Sequence, residues 1–403
     1  MRWIQPGELP LRAEVLAKFF EAWRAPISTE VVDTQDACGR ILAEDVFAKC
    51  DKPVVRGSRM DGVAVKSEAF AQGLPDASDW TPKEDWTRAD TGDDFPDEYD
   101  AVIPIEDVII LPGGGLEFAP EIELPIAPGT NVAPKGSSIR EGVGIGSKGT
   151  KLSPCDIAAI ASGAVSRVRV YAKPRAAFIP TGSELIPLGA DLPGPARGQT
   201  VESNSLMARL MLEEMGALPS IYPIVRDDKA ALGAALTEAL AEADIVVFSA
   251  GTSKGEEDFS HALLAERGDL ICHGVAAAPG RPLALAVIDG KPVINVAGPP
   301  VACFNGLDWC VRPIIASFFE LPSPKHHTVR AKLAEPIRSG GPGFETIIRI
   351  ELEETASGFI AHPLTNRERP STDALRTRGL YSSKVTPEPT GAGDTIEVEI
   401  LYP

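Results

Sequence analysis

The stretch that decides the fold is residues 175–268, where short apolar strands alternate with helical patterns. It opens with RAAFIPTGS (175–183), an apolar run that ends in a turn, and continues into the helical pattern SNSLMARLMLEEMGA (203–217). The alternation then runs through SIYPIV (220–225), KAALGAALTEALAEA (229–243), DIVVFSAG (244–251) and HALLAERG (261–268). Strands that alternate with helices predict a doubly wound, largely parallel sheet.

Local signals support this interpretation. In the first helical pattern Leu206, Leu210 and Met211 recur at helical spacing, and Ser203 or Asn204 is a suitable N-cap. The segment LALAVIDGKPVINVAG (283–298) predicts a hairpin with Asp289-Gly290 as its turn. A helix near Phe304 to Phe319 closes the unit.

The chain on either side of this unit has a different character. Leu11 to Trp23 predicts an amphipathic helix. From about residue 50 to 149 the pattern is rich in strands and turns, as in DGVAV, AVIPIEDVIIL and LEFAPEIELPIAPG. From about Pro324 it becomes β again, with TVRAKL, ETIIRIELEE, FIAHPL and DTIEVEILY.

These patterns predict a multidomain protein of the α/β plus β class. We expect a central doubly wound α/β domain, a small linker domain, an inserted β-rich domain and a C-terminal β-barrel-like domain. Their predicted ranges are 1–26 with 171–323, 27–47 with 148–170, 48–147, and 324–403.

Composition excludes several classes of function. The 403 residues carry a net charge of −18, so the basic footprint of a nucleic-acid-binding protein is missing. None of the six cysteines forms a CxxC pair, and the N-terminus MRWIQPGELP lacks the features of a signal peptide. No apolar run reaches the roughly 18 residues that a membrane helix needs. We therefore expect a cytoplasmic protein that binds neither nucleic acid nor membranes.

Three loops follow predicted strands of the α/β unit. They are Pro180–Glu184, Ser249–Asp258 and Ala297–Pro300. In an open α/β sheet, ligands gather beyond the carboxyl ends of the strands, near helix N-termini. These loops are therefore the candidate binding segments.

The second loop, SAGTSKGEED, contains the largest number of candidate ligand-binding groups. Its glycines permit close backbone approach, its hydroxyls bind oxygens, and Lys254 adds a positive charge. Glu256, Glu257 and Asp258 are suited to a hard cation such as Mg²⁺ beside a phosphate. The alternative is a surface loop with an acidic cap on the next helix. It is neither a Walker loop nor a GxGxxG fingerprint.

Two other segments carry charge. In Pro279-Gly280-Arg281-Pro282 the prolines restrain the backbone, so Arg281 is suited to present a rigid fork to an oxyanion; an exposed arginine in a turn is the alternative. Met60-Asp61-Gly62, taken alone, is a turn with charged neighbours. The five histidines form no metal-ligand pattern beyond the adjacent His326-His327.

Taken together, these segments resemble the molybdopterin molybdotransferase family, which includes MoeA of bacteria and the corresponding domain of gephyrin in animals. The matching stretches occur in the family's order and cover most of the chain from about Leu11 to Pro313. They are GRILAEDV, SRMDGVAV, TGDDFPDEYDAVIPIEDV, PTGSELIPLG, ESNSLMARLMLEEMGA, DIVVFSAGTSKGEEDF, APGRPLALAVIDGKPVINVAGPPV and VRP, with weaker matches at TRGLYSS and TGAGDTIEV.

The resemblance implies molybdenum cofactor biosynthesis, in which molybdate is inserted into adenylylated molybdopterin and AMP is released. It implies Mg²⁺ as the divalent cation and a central α/β domain that binds the pterin. It also implies an elongated homodimer of four-domain subunits, whose active site lies between the α/β domain of one subunit and the MDG-bearing domain of the other. Molybdoenzymes or other cofactor-biosynthesis proteins are further partners that it allows.

The same resemblance assigns site residues. It implies catalytic roles for Asp61, Glu184, Glu256, Asp258 and Arg281, and a metal-binding role for Glu256 and Asp258. The implied substrate-binding residues are Thr181, Gly182, Ser183, Asn204, Ser205, Ser249, Gly251, Ser253, Lys254, Gly255, Pro279, Gly280, Pro282, Gly298 and Pro300.

Several motif positions depart from the family's usual sequence. The changes from the family to this chain are SAMDGYAV to SRMDGVAV, NVxxxGEDI to NVAPKGSSI, TGDEL to TGSEL, SGGVSVG to SAGTSKG, KPGKP to APGRP and PGNPVS to AGPPVA. At Ala278, Pro299 and Ala302 a donor for a tetrahedral oxyanion is lost, and at Ser138 an acid is lost. A buried hydrogen bond to a charged group contributes roughly 1.5–3 kcal/mol, so these losses bear directly on molybdate affinity.

Two hypotheses follow. In the first, the protein is a transferase with a remodelled oxyanion pocket, in which Arg59 and Lys254 supply replacement charge. In the alternative, it is a catalytically impaired homologue that binds molybdopterin or the finished cofactor as a carrier or regulator. Two further alternatives are a transferase that uses tungstate in place of molybdate and a scaffold protein.

Overall fold

The computed structural model describes residues 9–189, 194–250, 259–337, 343–364, 371–383 and 390–401. The chain divides into two compact units, residues 29–171 and residues 1–28 with 172–403. The finer division into four domains stays a prediction. No helix among the described residues is long and apolar enough to cross a membrane.

The N-terminal helix α1 (Arg12–Ala22) confirms the predicted amphipathic helix between Leu11 and Trp23. It buries Val15 and Phe19 and belongs to the second of the two units. At its start, the Glu14 carboxylate accepts a hydrogen bond from the Leu11 amide at 2.8 Å, which satisfies one of the free amides at the helix N-terminus.

The unit of residues 29–171 is built from short strands. They are β1 (Thr29–Asp33), β2 (Val46–Phe47), β3 (Gly57–Ser58), β4 (Gly62–Val65), β5 (Trp86–Ala89), β6 (Ala101–Pro104), β7 (Val108–Ile110), β8 (Leu116–Phe118), β9 (Val132–Ala133), β10 (Gly144–Gly146) and β11 (Arg167–Tyr171). Its helices are α2 (Pro154–Ser162) and the 3₁₀ turns Thr34–Asp36, Ser67–Phe70 and Ile105–Asp107.

Three apolar clusters stabilise this unit, and the smallest contains Ala64, Tyr99 and Val102. One joins the antiparallel pair β1–β11 to α2 and includes Leu42, Ile160 and Val170, all fully buried. Another surrounds the three-stranded sheet β5-β4-β6 and includes Val63 and Ile103. The predicted β pattern LEFAPEIELPIAPG forms a strand only over β8. Its three prolines lack the amide donor that a strand ladder needs, which accounts for the difference.

The central part of the other unit follows the predicted alternation. Its elements are β12 (Arg175–Pro180), β13 (Leu185–Ile186), β14 (Thr200–Val201), α3 (Asn204–Glu214), β15 (Leu218–Ile221), α4 (Lys229–Glu242), β16 (Ile245–Ala250), α5 (Phe259–Arg267), β17 (Asp269–His273), β18 (Ala277–Ala278), β19 (Ala284–Ile288), β20 (Lys291–Ala297), α6 (Pro300–Gly306), a π-helical turn (Leu307–Val311) and α7 (Arg312–Ser317).

Six of these strands form one sheet in the order β15-β12-β16-β20-β19-β17. The first four strands in that order are parallel, and β19 runs antiparallel to both of its neighbours. Helices α4 and α5 contact one face through a core that includes Leu236 and Leu264, while α3 and α6 contact the sheet outside that core. The prediction of a doubly wound, largely parallel sheet is therefore confirmed.

Beyond Pro324 the chain forms a closed barrel. Its elements are β21 (His327–Leu333), β22 (Glu345–Thr355), β23 (Gly358–Pro363), α8 (Ser371–Arg376), β24 (Gly379–Ser382) and β25 (Thr395–Ile400). The strand order β22-β23-β21-β25-β24 closes because β24 also pairs with β22. A barrel leaves few open strand edges, and this one confirms the predicted C-terminal fold.

Three local details differ from the sequence-based expectations. Strand β17 was not predicted, although Gly268 before it marks a close approach, since a Cβ there would lie 2.3 Å from the Val287 carbonyl oxygen. Leu206 and Leu210 of α3 are exposed, at 49% and 52%. The Ser203 side chain makes no capping hydrogen bond.

The buried stripe of α3 explains the second difference. It consists of Asn204, Ala208, Met211 and Leu212, which keep helical spacing but begin with a polar residue. The predicted apolar pattern began at Leu206, two positions after the buried Asn204 and on an exposed side of the helix. A buried asparagine at the head of the stripe needs hydrogen-bond partners, and it finds them at the candidate site described below.

A buried charged cluster connects the central helices to the first strand of the barrel. The Asp308 carboxylate lies 2.9 Å from His326 Nε2 and 2.9 Å from Arg312 Nε. Arg312 also pairs with Glu214 at 3.2 Å. The hydrogen bond to Asp308 raises the pKa of His326 against the opposing effect of burial. Burial raises the pKa of Asp308, but His326 and Arg312 lower it overall.

Replacing His326 with glutamine should lower the free energy of unfolding more at about pH 5.5 than at about pH 9. Because its pKa is raised on folding, the stabilisation by His326 is complete below the unfolded pKa of about 6.5 and is lost as the pH rises through the folded pKa. Urea unfolding of both proteins at the two pH values measures the difference. His362→Gln, on the barrel surface, is the control, and an equal difference at both pH values would contradict the expectation.

Candidate functional site

A cavity of about 320 Å³ opens at the carboxyl ends of the parallel strands. Pro180 of β12 is in register with Ser249 of β16, and Ala250 with Ala297 of β20, so the three predicted loops leave the same edge of the sheet. The lining residues are Thr181, Glu184, Leu185, Thr200, Val201, Glu202, Ser203, Asn204, Ser249, Gly298, Pro299 and Pro300.

Asn204 holds the walls of the cavity together. From the first turn of α3, its Nδ2 donates to Ser249 Oγ at 3.0 Å and to the Gly298 carbonyl oxygen at 2.7 Å. Asn204 is 8% exposed and Ser249 is 3% exposed, so their hydrogen bond is buried, while the bond to Gly298 is partly buried. One side chain therefore links α3, the end of β16 and the loop after β20.

The Gly298 contact settles the orientation of this amide. A backbone carbonyl only accepts, so the NH₂ group must face Gly298, and both of its hydrogens are used by Gly298 and Ser249. The Asn204 Oδ1 atom is buried and has no hydrogen-bond partner among the described residues. The site thus holds a buried acceptor that a ligand N–H or O–H group would satisfy.

The base of the cavity is held by Thr181, Ser249 and Cys303. The Thr181 amide and hydroxyl both donate to the Ser249 carbonyl oxygen, at 2.9 and 3.2 Å. Cys303 of α6 is fully buried, and the Ser249 side chain is among the groups that affect its thiol. Burial raises the pKa of its thiol to about 12, so the sulfur is protonated and uncharged. The sequence analysis did not single out Cys303, because a lone cysteine in a helix carries no motif.

Two carboxylates lie at the rim. Glu202 accepts a hydrogen bond from the Ser205 amide at 3.0 Å and so caps α3, the role that was expected of Ser203 or Asn204. Glu184 lines the cavity as predicted but is exposed. The Ser183 amide donates to the Asp227 carboxylate at 3.1 Å, and the Ser183 hydroxyl oxygen accepts from the Asp227 amide at 3.3 Å. Neither Ser183 nor Ser205 is among the described residues that line the cavity. Thr200 and Glu202 belong to the site but were not predicted.

The segment Pro279–Pro282 packs against helix α6 instead of lining the cavity. Asn305 Nδ2 donates to the Pro279 carbonyl oxygen at 3.0 Å, and a Cβ on Gly280 would lie 3.6 Å from the Ala302 carbonyl oxygen. The Arg281 carbonyl accepts from the amides of Val275 and Leu283, both at 3.0 Å. The backbone of the half-buried Arg281 is therefore held by the segments on either side of it, while Pro279 is the residue that bonds to helix α6.

The remaining central-loop predictions lie outside the described residues. They concern Gly251, Ser253, Lys254, Gly255, Glu256 and Asp258. The preceding strand β16 ends at Ala250, so this loop starts at the edge of the sheet where the cavity opens. Within the described ranges no group of three or more His, Cys, Asp or Glu side chains is placed to hold a metal ion.

Asp61 belongs to the unit of residues 29–171 and is exposed. Its Oδ1 accepts a hydrogen bond from the Thr91 amide at 2.7 Å, and this bond lowers the pKa of the carboxyl group. Next to it, Gly62 lies between β5 and β6, where a Cβ would lie 2.0 Å from the Ile103 carbonyl oxygen. The glycine of the MDG motif is thus required by the sheet, while the aspartate is ionised and accessible.

Comparison with known proteins agrees with this architecture. A sequence profile of the MoeA N-terminal region (domains I and II) matches residues 12–164, and a profile of a probable molybdopterin-binding domain matches residues 177–317. A putative molybdopterin biosynthesis protein of Methanocaldococcus jannaschii is 32% identical over 286 residues, which is 67% of this chain and 70% of that protein. The chain belongs to the MoeA family.

Other MoeA proteins match over similar lengths. A molybdopterin molybdenumtransferase of Haemophilus influenzae is 29% identical over 74% of this chain and 75% of its own length. A crystal structure of a molybdopterin biosynthesis MoeA protein from Pyrococcus horikoshii superposes with a TM-score of 0.81 at 26% identity, covering 98% of this chain and 100% of that one. The multidomain MoeA architecture, including the α/β domain and the terminal barrel, is therefore shared.

Replacing Gly62 of the MDG motif with alanine should destabilise the unit of residues 29–171 by about 3 kcal/mol or more, because the new methyl group meets backbone that cannot move without breaking the sheet. Thermal unfolding followed by circular dichroism measures the loss. Gly194→Ala is the control, since a Cβ there meets nothing within 4 Å. Equal melting temperatures for the two variants would show that the sheet tolerates the side chain.

Proposed function

We propose that this MoeA-family protein is a molybdopterin molybdotransferase that inserts molybdate into adenylylated molybdopterin with release of AMP. The observation that carries the proposal is the cavity at the carboxyl ends of β12, β16 and β20, in which residues of three family motifs are joined by Asn204. The relatives named molybdopterin molybdenumtransferase support the transferase over the carrier alternative.

The chemistry of the cavity suits the pterin end of such a substrate. Its described lining contains two carboxylates, Glu184 and Glu202, and the buried acceptor of Asn204, but no lysine or arginine. A pterin edge offers several N–H donors, which pair with acceptors of this kind. Phosphate and oxyanion groups need donors and positive charge instead.

We assign the oxyanion end of the substrate to Arg281 and to the loop that contains Lys254. The backbone of Arg281 is held by hydrogen bonds from the Val275 and Leu283 amides to its carbonyl oxygen, and its guanidinium supplies the planar donor set that suits an oxyanion. Ala302, at a position where the family has serine, is 5% exposed and has no side-chain donor. Molybdate affinity in this protein therefore depends on Arg281 and Lys254 more than on helix α6.

We also propose Mg²⁺ as the cation, held by Glu256 and Asp258. Oxygen ligands are what Mg²⁺ takes, and the carboxylates of Glu184 and Glu202 make the neighbouring cavity rim suitable for it. When bound, the ion would polarise the phosphate linkage of the substrate. The chain's own part is to hold the two ends of the substrate on one sheet edge.

The proposed assembly is a homodimer in the cytoplasm, in which the MDG segment of one subunit completes the site of the other. Asp61 is ionised and exposed, as a residue that serves a neighbouring subunit must be. All six cysteines are free thiols, which is typical of a reducing compartment.

A single-turnover assay tests the proposal. Purified protein with Mg²⁺ and adenylylated molybdopterin should release AMP when molybdate is added and release little without it. Pterin binding without AMP release would support the carrier alternative. The substitutions Pro299→Asn and Ala302→Ser, which return the family's residues, would then show whether the lost hydrogen-bond donors account for the lack of AMP release. Absence of both binding and release would overturn the proposed function.

Replacing Asp258 with asparagine should slow AMP release by about tenfold or more, because it removes a ligand of the proposed cation. An acid in a loop contributes little to the core, so the melting temperature should stay within about 2 °C of the wild type. Glu238→Gln, an exposed acid of helix α4, is the matched control for loss of one negative charge. A large fall in melting temperature would instead assign Asp258 a structural role.

A further inference from the structure

The segment that contains Arg281 is held by the barrel as well as by helix α6. Strand β18 pairs in parallel with the start of β22, where Ala277 lies opposite Glu345. The Glu345 amide donates to the Ala276 carbonyl oxygen at 2.8 Å. This parallel pairing spans only two residues of each strand and is weak by itself, so the position of the segment depends on what holds the start of β22.

Arg12 of helix α1 holds that end of β22. Its Nε donates to Glu345 Oε2 at 3.0 Å and its Nη2 to Glu345 Oε1 at 3.2 Å, so two arms of the guanidinium bind one carboxylate. The same Nη2 donates to Ser382 Oγ on β24 at 3.0 Å. The Arg12 and Glu345 side chains are only 18% and 17% exposed, and a partly buried bidentate pair is stronger than a pair in open solvent.

The contacts of Pro10, Arg12, Ala276 and Glu345 close a ring. Two residues before Arg12, the Pro10 carbonyl oxygen accepts a hydrogen bond from the Ala276 amide at 2.8 Å. Ala276 is thus bonded on one side to the residue that precedes helix α1 by two positions and on the other side to Glu345, which Arg12 holds. A shift of β22 relative to α1 must therefore strain the hydrogen bonds of Ala276.

The ring reaches Arg281 through one further residue. Val275, next to Ala276, donates its amide to the Arg281 carbonyl oxygen at 3.0 Å. Arg281 is the only lysine or arginine in residues 274–283, because Ala278 stands where the family has a lysine. The placement of the single cation of this segment therefore depends on the ring.

We propose that Arg12 is a positioning residue for oxyanion binding, which acts through Glu345 and strand β18 to hold the backbone of Arg281. The inference rests on the proposed function, since Arg281 is assigned there to the oxyanion end of the substrate. Arg12 acts through its partner carboxylate and takes no part in a chemical step.

Single-turnover AMP release at increasing molybdate concentration, together with pterin binding measured without molybdate, tests this role. Arg12→Gln should raise the molybdate concentration for half-maximal release about fivefold or more, because a displacement of about 1 Å weakens a positioned site. The dissociation constant for adenylylated molybdopterin should stay within about twofold of the wild type, because none of the described residues that line the cavity belongs to the ring.

Glu345→Gln and the double variant show whether Arg12 acts through its partner. If it does, each single variant raises the molybdate requirement to the same extent, and the double variant raises it no further. An unchanged molybdate requirement, additive effects of the two substitutions, or an equal loss of pterin affinity would overturn the inference.

Arg175→Gln is the matched control. This arginine pairs with Asp244 and begins strand β12, whose other end leads to the cavity. Its replacement removes an arginine and an ion pair from the same unit, and it should leave the molybdate requirement and the pterin affinity unchanged.

Hydrogen exchange separates this inference from the proposed function. Arg12→Gln should speed exchange of the amides in residues 274–283, and Arg175→Gln should not, whether or not the protein turns over. Unchanged exchange would show that Arg12 does not hold the segment, which overturns the inference and leaves the proposed function standing. If exchange rises but the wild type releases no AMP, the inference falls together with the proposed function.

Discussion

The site depends on one buried amide. Asn204 joins the start of α3 to the ends of two neighbouring parallel strands through a buried hydrogen bond to Ser249 and a partly buried one to Gly298. A buried polar group left without a partner costs about 1–3 kcal/mol, so the amide must keep both contacts in the folded chain. The Oδ1 acceptor of the same amide is buried and has no hydrogen-bond partner among the described residues.

The doubly wound sheet makes this arrangement possible. Parallel strands end at the same edge, so segments far apart in the sequence, at Thr181, Ser249 and Gly298, arrive side by side. Helix α6 lies beside two of the motif segments, the one at the cavity and the one that contains Arg281. It carries Cys303 behind the cavity and Asn305 beside Pro279, so the cavity and the Arg281 segment rest on one rigid element. A displacement of this helix would disturb both.

Charge is divided between the candidate segments in a way that matches a substrate with two unlike ends. The described cavity lining is acidic and rich in acceptors, whereas Lys254 and Arg281 lie in the sequence between the lining residues Ser249 and Gly298. A protein of net charge −18 binds anionic groups only where local cations and backbone amides outweigh that excess. The separation of the two chemistries is therefore a condition for binding a pterin that carries phosphate.

The sequence alone determined the elements and their class, because strand and helix periodicity and the Asp289-Gly290 turn are local properties. The predicted loops after parallel strands supplied Thr181, Ser249, Gly298 and Pro300, and the family motifs supplied Asn204; the structure brings all five to one cavity. Only the tertiary structure brought in Cys303, Glu202 and strand β17, and separated Ser183 from the cavity. These depend on which side chains meet across the fold, and long-range hydrogen-bond partners leave no periodic trace in the chain.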